Sequence, residues 1–385
     1  MRPADRVDRV PPSGIRRFFE LAEEQEDIIS LGVGEPDFSA PWAARDAAIT
    51  SLERGQTSYT ANRGRRDLRD AISADVEERY DLSYDPAEEI LVTTGASEAI
   101  DLAFRALVDP GDTVAVAQPG FVSYVPKTIF VGAEPLRVPT RPEDDFALTR
   151  AVLEEHGAAE ADVLIYCYPN NPTGATMTGD QLAEVAAFAR EHDLTVFADE
   201  IYAELTYEHE HTSIATLPGM RERTVVINGF SKAYAMTGLR LGYALAPPAA
   251  TAAMNRIHQY TMMSAPTTAQ YAALEALESC RPDVRDMREE YDRRRKLVLS
   301  RFEEMGLPCF RARGAFYAFP ACPGDDAEAF AEALLEAEGV AVVPGTAFGA
   351  GGEGHLRVSY ATGMEDLKEA LDRIERFLDR GWSGP

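Results

Sequence analysis

Short apolar runs that end in turn residues alternate along this chain with stretches whose apolar positions recur every three to four residues. "ILVTTG" (90–95) is a four-residue apolar run closed by glycine. The stretch after it places Ile100, Ala103, Phe104 and Leu107 on one helical face. "TVAVAQPG" (113–120) repeats the short-strand pattern, and "DVLIYCYPNNPTG" (162–174) predicts a buried strand that breaks at Pro169. In "TMTGDQLAEVAAFAREHD", Thr178 and Gln181 form a capping box ahead of a helix with Leu182, Val185, Ala186 and Ala189 on its apolar face. "TVFADE" (195–200), "TVVING" (224–229) and "RLGYALA" (240–246) predict three more strands. Strands alternating with helices predict a mostly parallel sheet covered on both faces. After about residue 280 the order changes. A charged helix leads to "RGAFYAFP", "VAVVPG" and "HLRVSYA", the signature of a smaller α+β domain joined by the N-terminal arm.

Composition narrows the classes. The chain has 385 residues, 45% of them hydrophobic, enough for a large core and two domains. No run of about 18 apolar residues predicts a membrane span, and the N-terminus lacks the apolar stretch of a secretory signal, so a cytoplasmic location is expected. Cys167, Cys280, Cys309 and Cys322 are too scattered for a zinc site or a disulfide framework. The net charge of −26 repels nucleic acid and anionic lipid. Lys127, Lys232, Lys296 and Lys368 are the only lysines among 38 basic residues. An acidic, lysine-poor surface is that of a halophilic cytosolic protein, whose self-repulsion high salt screens. It also makes any retained lysine informative.

In open α/β sheets ligands bind beyond the carboxyl ends of the strands. Those ends carry Gly95-Ala96-Ser97 at a helix start, the turn Asn170-Asn171-Pro172, then Asp199, Glu200 and Tyr202, then Lys232, with Arg240 close behind. A helix start with small residues offers N–H groups to a phosphate. The GxxxxGK[ST] loop of nucleotide triphosphatases is absent, and "LGVGEP" (31–36) lacks the third glycine and the helix of a dinucleotide site. A buried lysine has a lowered pKa and forms a Schiff base with an aldehyde, which arginine cannot do. The aldehyde cofactor that also carries a phosphate is pyridoxal phosphate. Its ring nitrogen needs a carboxylate, its phenolate oxygen needs donors, and its phosphate needs N–H groups and arginine.

The motifs "SLGVGEPDF", "TSYTANRG", "YPNNPTGAT", "FADEIYAEL", "GFSKAYAMTGLRLGY" and "HLRVSYA" occur together and in order. In this the sequence resembles the class I/II aminotransferases of fold type I, close to their aspartate-aminotransferase-like branch. The resemblance implies an α/β fold: a large domain with a mostly parallel, seven-stranded sheet flanked by helices, plus a smaller α+β domain. It implies an N-terminal arm and part of the small domain at 1–45, the cofactor domain at 46–280 and the small C-terminal domain at 281–385. By resemblance, Lys232 bears pyridoxal phosphate and moves the proton, and Asp199 keeps the ring protonated. Tyr202 and Asn171 donate to the phenolate oxygen, and Phe121 stacks on the ring. Ala96, Ser97 and Arg240 hold the phosphate, and Tyr59 reaches the partner's phosphate across a homodimer. Arg357, helped by the Gly34 N–H, holds the α-carboxylate of an amino acid or oxo acid. The Asn171–Pro172 bond is expected to be cis.

Two departures from the family pattern stand out. Gly229 replaces a serine that many relatives use for the phosphate, and Ser231 is the expected substitute. Ser97 stands where some aspartate-using relatives have a lysine. Arg16 and Arg17 read as a solvated helix face, with a substrate lid as the alternative. Without that lid, a pocket near Tyr124 and Phe316 is expected to favour apolar or aromatic side chains. The expected activity is ping-pong transfer of an amino group from an L-amino acid to a 2-oxo acid. The alternatives are a carbon–sulfur lyase on the same scaffold and a non-catalytic binding protein.

Overall fold

The structure is a computed structural model that describes residues 2–12, 14, 27–324 and 326–382. Arg16 and Arg17 lie outside the described residues, and with them the lid expectation. Seven strands form the central sheet: β2 (Ile90–Thr93), β3 (Thr113–Gln118), β4 (Glu134–Pro139), β5 (Val163–Cys167), β6 (Thr195–Asp199), β7 (Thr224–Gly229) and β8 (Gly242–Leu245). Their spatial order is β2-β8-β7-β6-β5-β3-β4. All neighbours are parallel except β8, which runs antiparallel to both β2 and β7. β1 (Ile29–Ser30) lies outside this sheet, pairing in parallel with β10 (Val340–Ala341). β9 (Tyr317–Ala318), β12 (Leu356–Ser359) and β11 (Val343–Pro344) form a separate antiparallel sheet.

The strands read as apolar runs because both faces are covered. In β5, Val163, Ile165 and Cys167 join one core cluster while Leu164 and Tyr166 join another on the opposite face. In β6, Phe197 belongs to the first cluster and Val196 and Ala198 to the second. With a side-chain period of two, Asp199 continues the Phe197 face. The capping box forms as expected: Thr178 accepts from the Gln181 N–H, and Gln181 accepts from the Thr178 N–H at 2.8 Å.

The reversed direction of β8 brings Arg240 to the site. Gly242, its first residue, is paired with Thr93 at the end of β2 and with Gly229 at the end of β7. The chain therefore enters β8 from the edge where the parallel strands finish. Close approach dictates the glycines here. A Cβ on Gly242 would lie 2.5 Å from the Ala96 nitrogen, and one on Gly229 would lie 2.8 Å from the Gly242 Cα. Gly229 thus has no room for a side chain such as the expected serine.

Candidate active site

A cavity of about 280 Å³ opens at the carboxyl edge of the sheet. Gly34, Asn171, Tyr202, Lys232 and Arg357 line it, with Asp199 and Phe121. Ala96, Ser97, Ser231 and Arg240 line it too. Segments more than 300 residues apart in sequence thus meet in one hollow. Among the residues expected to hold the cofactor and the substrate carboxylate, Tyr59 is the exception: it is 79% exposed and does not line this chain's cavity.

Asp199 is 3% exposed. Its Oδ2 accepts the Tyr124 hydroxyl at 2.6 Å, and its Oδ1 accepts the Ile201 N–H at 3.3 Å. Among the described residues it has no ion-pair partner. Burial pushes its pKa up to about 6; the two hydrogen bonds and the more distant Lys232 pull the other way. Lys232 follows β7, and its Nζ donates to the Gly34 carbonyl at 2.6 Å. Burial, with Arg357 next in effect, pushes its pKa down to about 8. A usable fraction of neutral amine therefore exists near pH 7–8.

Arg357 projects from β12 and is 3% exposed. It donates to Asn171 Oδ1 at 3.0 Å and to the Gly32 carbonyl, between the rings of Tyr317 and Phe348 at 4.7 Å each. Its Nε is buried with no hydrogen-bond partner among the described residues. A guanidinium that lines a cavity and keeps an unsatisfied N–H invites an anion, since leaving such a donor unpaired is costly. Asn171 uses its oxygen on Arg357, which leaves its amide N–H₂ as the end available for donation. Asn171–Pro172 is cis, as are Gln118–Pro119 and Tyr168–Pro169.

The helix Ala96–Leu107 starts at Gly95, and no side chain caps that start. Arg240 lies over it: a Cβ on Gly95 would meet its Nη2 at 2.8 Å. Arg240 has a φ of +55° and donates to the Thr237 carbonyl at 3.0 Å. Uncapped N–H groups and a guanidinium together form an anion cradle.

The expectation for the side-chain pocket changes. Tyr124 and Phe316 do not line the cavity. Tyr124 is fully buried and spends its hydroxyl on Asp199, and Phe316 packs edge-on beneath Tyr202 at 5.4 Å. Tyr317, which sequence reasoning passed over, lines the cavity instead, with its hydroxyl 2.9 Å from that of Tyr202. Glu200, next to Asp199, points away from the cavity and pairs with Ser213 and His211. The rings of Phe316 and Tyr317 lie 4.8 Å apart and both pack on Tyr202, so no alternation along "AFYAF" marks which of them meets the cavity.

A cavity of this size and charge suits a small anionic ligand. Its lysine can attack a carbonyl, its carboxylate stands apart from any ion pair, and two arginines stand ready for anions: the equipment of an enzyme. The chain belongs to the family "Aminotransferase class I and II", which it matches over residues 26–374. It is an aminotransferase, acting on amino acids and oxo acids, in a family that is generally pyridoxal-phosphate dependent. It is 52% identical over 379 residues to a putative aminotransferase of Bacillus subtilis (strain 168), covering 98% of each chain. It is 44% identical to an aspartate aminotransferase of Pyrococcus abyssi, again over 98% of each. Among solved structures, it matches an aromatic aminotransferase from Pyrococcus horikoshii with a TM-score of 0.90 and 43% identity, covering 95% of this chain and 99% of that one. It matches the Thermus thermophilus aspartate aminotransferase with maleate with a TM-score of 0.92 and 39% identity, covering 98% and 100%. No helix among the described residues is long and apolar enough to cross a membrane.

The burial of Asp199 predicts a pH signature in the cofactor-free protein. A carboxyl group whose folded pKa is raised is cheapest to bury when protonated. Its penalty is absent below the unfolded value near 3.8, grows as pH rises and is complete above about 6. The shift corresponds to about 3 kcal/mol. Asp199→Asn should therefore gain stability relative to the wild type between pH 4 and 6 and hold that gain above pH 6. Denaturant midpoints across this range check it; parallel curves for the two proteins would show that Asp199 is not buried at a cost.

Proposed function

We propose that this aminotransferase uses pyridoxal phosphate held in the cavity by Lys232 and Asp199. One observation carries the proposal: a buried carboxylate without an ion-pair partner shares a cavity with a lysine whose pKa is about 8. A protonated ring nitrogen is the partner that Asp199 lacks, and an aldehyde is the partner for Lys232. Pyridoxal phosphate, when bound, supplies a ring that accepts charge from the substrate's α-carbon.

The chain's own residues would do the rest. Lys232 would hold the cofactor covalently and, once displaced by the substrate amine, carry the proton from the substrate Cα. Tyr202 and the Asn171 amide would donate to the phenolate oxygen, and Phe121 would lie against the ring. The Ala96 and Ser97 N–H groups, Arg240 and Ser231 would hold the phosphate. Ser231 supplies the hydroxyl that Gly229 has no space to carry. Arg357 would bind the α-carboxylate through the buried edge that includes its unpartnered Nε, with the Gly34 backbone alongside. Amino-group transfer then proceeds in two halves, donor first and acceptor second.

The domain division proposed is an arm at 1–45, a cofactor domain at 46–280 and a small domain at 281–385. The pairing of β1 with β10 supports assigning the arm to the small domain. The exposure of Tyr59 supports a homodimer in which Tyr59 serves the partner's phosphate. The charge of −26 supports a cytoplasm of high salt.

Three outcomes are expected. The purified protein should absorb visible light, lose that band on borohydride reduction, and carry the reduced adduct on Lys232 by peptide mass; an adduct on Lys127, Lys296 or Lys368 would refute the assignment. Arg357→Lys should lower kcat/KM by roughly 100-fold for aspartate, glutamate, phenylalanine and alanine alike, because a point charge does not replace a bidentate fork. A normal rate for any of these donors would place the carboxylate elsewhere. In molar salt, mixing inactive Tyr59→Ala and Lys232→Ala proteins should restore activity through mixed dimers with one intact site, and withdrawing the salt should abolish it. No recovery despite verified subunit exchange would remove Tyr59 from the site, and salt-independent recovery would remove the halophilic reading.

A further inference from the structure

Tyr317 occupies a junction in the cavity. Its residue pairs with Ser359 of β12, and Arg357, two residues before Ser359, shares that face diagonally. The guanidinium of Arg357 accordingly sits 4.7 Å from the Tyr317 ring centroid. The Gly34 backbone closes over the hydroxyl so tightly that a Cβ there would come within 2.4 Å of it. The hydroxyl lies 2.9 Å from the Tyr202 hydroxyl, and both residues are buried.

Two hydroxyls that share one hydrogen bond hold two protons. One proton lies between the oxygens, and the other is left for a third group. If Tyr202 donated to Tyr317, Tyr202 would have nothing to give to the cavity. If Tyr317 donates, the Tyr202 proton is free to point there. The Arg357 charge decides between them. Burial raises the pKa of Tyr317, and Arg357 acts against that rise as the next largest effect. A cation on the face of a phenol stabilises negative charge on its oxygen and makes its O–H the stronger donor.

We infer that Tyr317 is a positioning residue: its hydroxyl donates to Tyr202 and so directs the Tyr202 proton toward the phenolate oxygen of the cofactor. This rests on the proposed binding of pyridoxal phosphate at Lys232. A donor that itself accepts a hydrogen bond donates more strongly, so the pair acts as a short chain. Tyr317 lines the cavity, and in this assignment its effect on the cofactor runs through Tyr202.

The test uses the cofactor-loaded enzyme and reads the pH midpoint of its visible absorbance change. Tyr317→Phe keeps the ring under Arg357 and removes only the hydroxyl. Its midpoint should rise by about half a unit, the scale of losing part of one hydrogen bond. Tyr202→Phe should raise it further. In the Tyr202→Phe background, Tyr317→Phe should add nothing, because the oxygen it acts through is gone. The KM for the amino donor should stay within about twofold of wild type, since the carboxylate-binding fork is untouched. An unmoved midpoint in Tyr317→Phe, or an equal displacement in both backgrounds, overturns the inference. A raised KM with an unmoved midpoint also overturns it, and assigns Tyr317 to the carboxylate site. A wild-type enzyme without a borohydride-sensitive band on Lys232 brings down the cofactor assignment, and this inference with it. An intact wild-type band beside an unresponsive Tyr317→Phe variant brings down this inference alone.

Discussion

Asp199 ends a central strand with only a tyrosine hydroxyl and a backbone N–H in contact with its oxygens. Burying a carboxylate that way opposes folding, and the remedy within a protein is ordinarily an arginine or lysine at contact distance. Neither is there among the described residues. The surroundings instead leave a cavity beside it, lined also by Lys232. The carboxylate is thus set up to receive a charge from outside the chain. Phe197 and Cys167 hold its strand face in the core, and Tyr124 fixes its orientation. Much of the geometry around the cavity serves to keep that one group in place.

The second constraint is the direction of β8. In an all-parallel sheet, a residue preceding a strand lies at the opposite edge from one that follows a strand. Lys232 and Arg240 would then be a full strand length apart. Because β8 is antiparallel, the residue before it and the residues after β7 share an edge. The same reversal presses Gly242 against the start of the 96–107 helix, so the anion cradle and the lysine are positioned by one strand. Gly229 is part of the same contact, so its lack of a side chain follows from packing.

The charged groups of the site reach the cavity from different elements. Asp199 lies at the floor, where burial raises its pKa, while Arg240 is exposed over the helix start. Arg357 comes from a different sheet and reaches the cavity between two aromatic rings. A ligand with a cationic ring nitrogen, a phosphate and a carboxylate-bearing substrate would therefore meet complementary charge at three separate points. This arrangement orients as well as attracts.

Much of this was legible in the residues alone. The apolar runs and their period gave six of the seven strands of the large sheet, since both-faces burial leaves a local signature; the half-exposed edge strand β4 has no such run, and the Thr178–Gln181 capping box formed as written because capping is local. The polar residues at the strand ends marked the cavity, because the carboxyl edge of such a sheet is where side chains escape the core. Tertiary structure decided what depended on neighbours distant in sequence. Tyr124 looked like a pocket wall and turned out to be the hydrogen-bond partner of Asp199, 75 residues away. Tyr317, rather than Phe316, faces the cavity because of its register against β12. Gly229 is small because β8 passes over it. Local pattern fixes which face a residue takes within its own element; what lies against that face is set by long-range packing, which no short window of sequence contains.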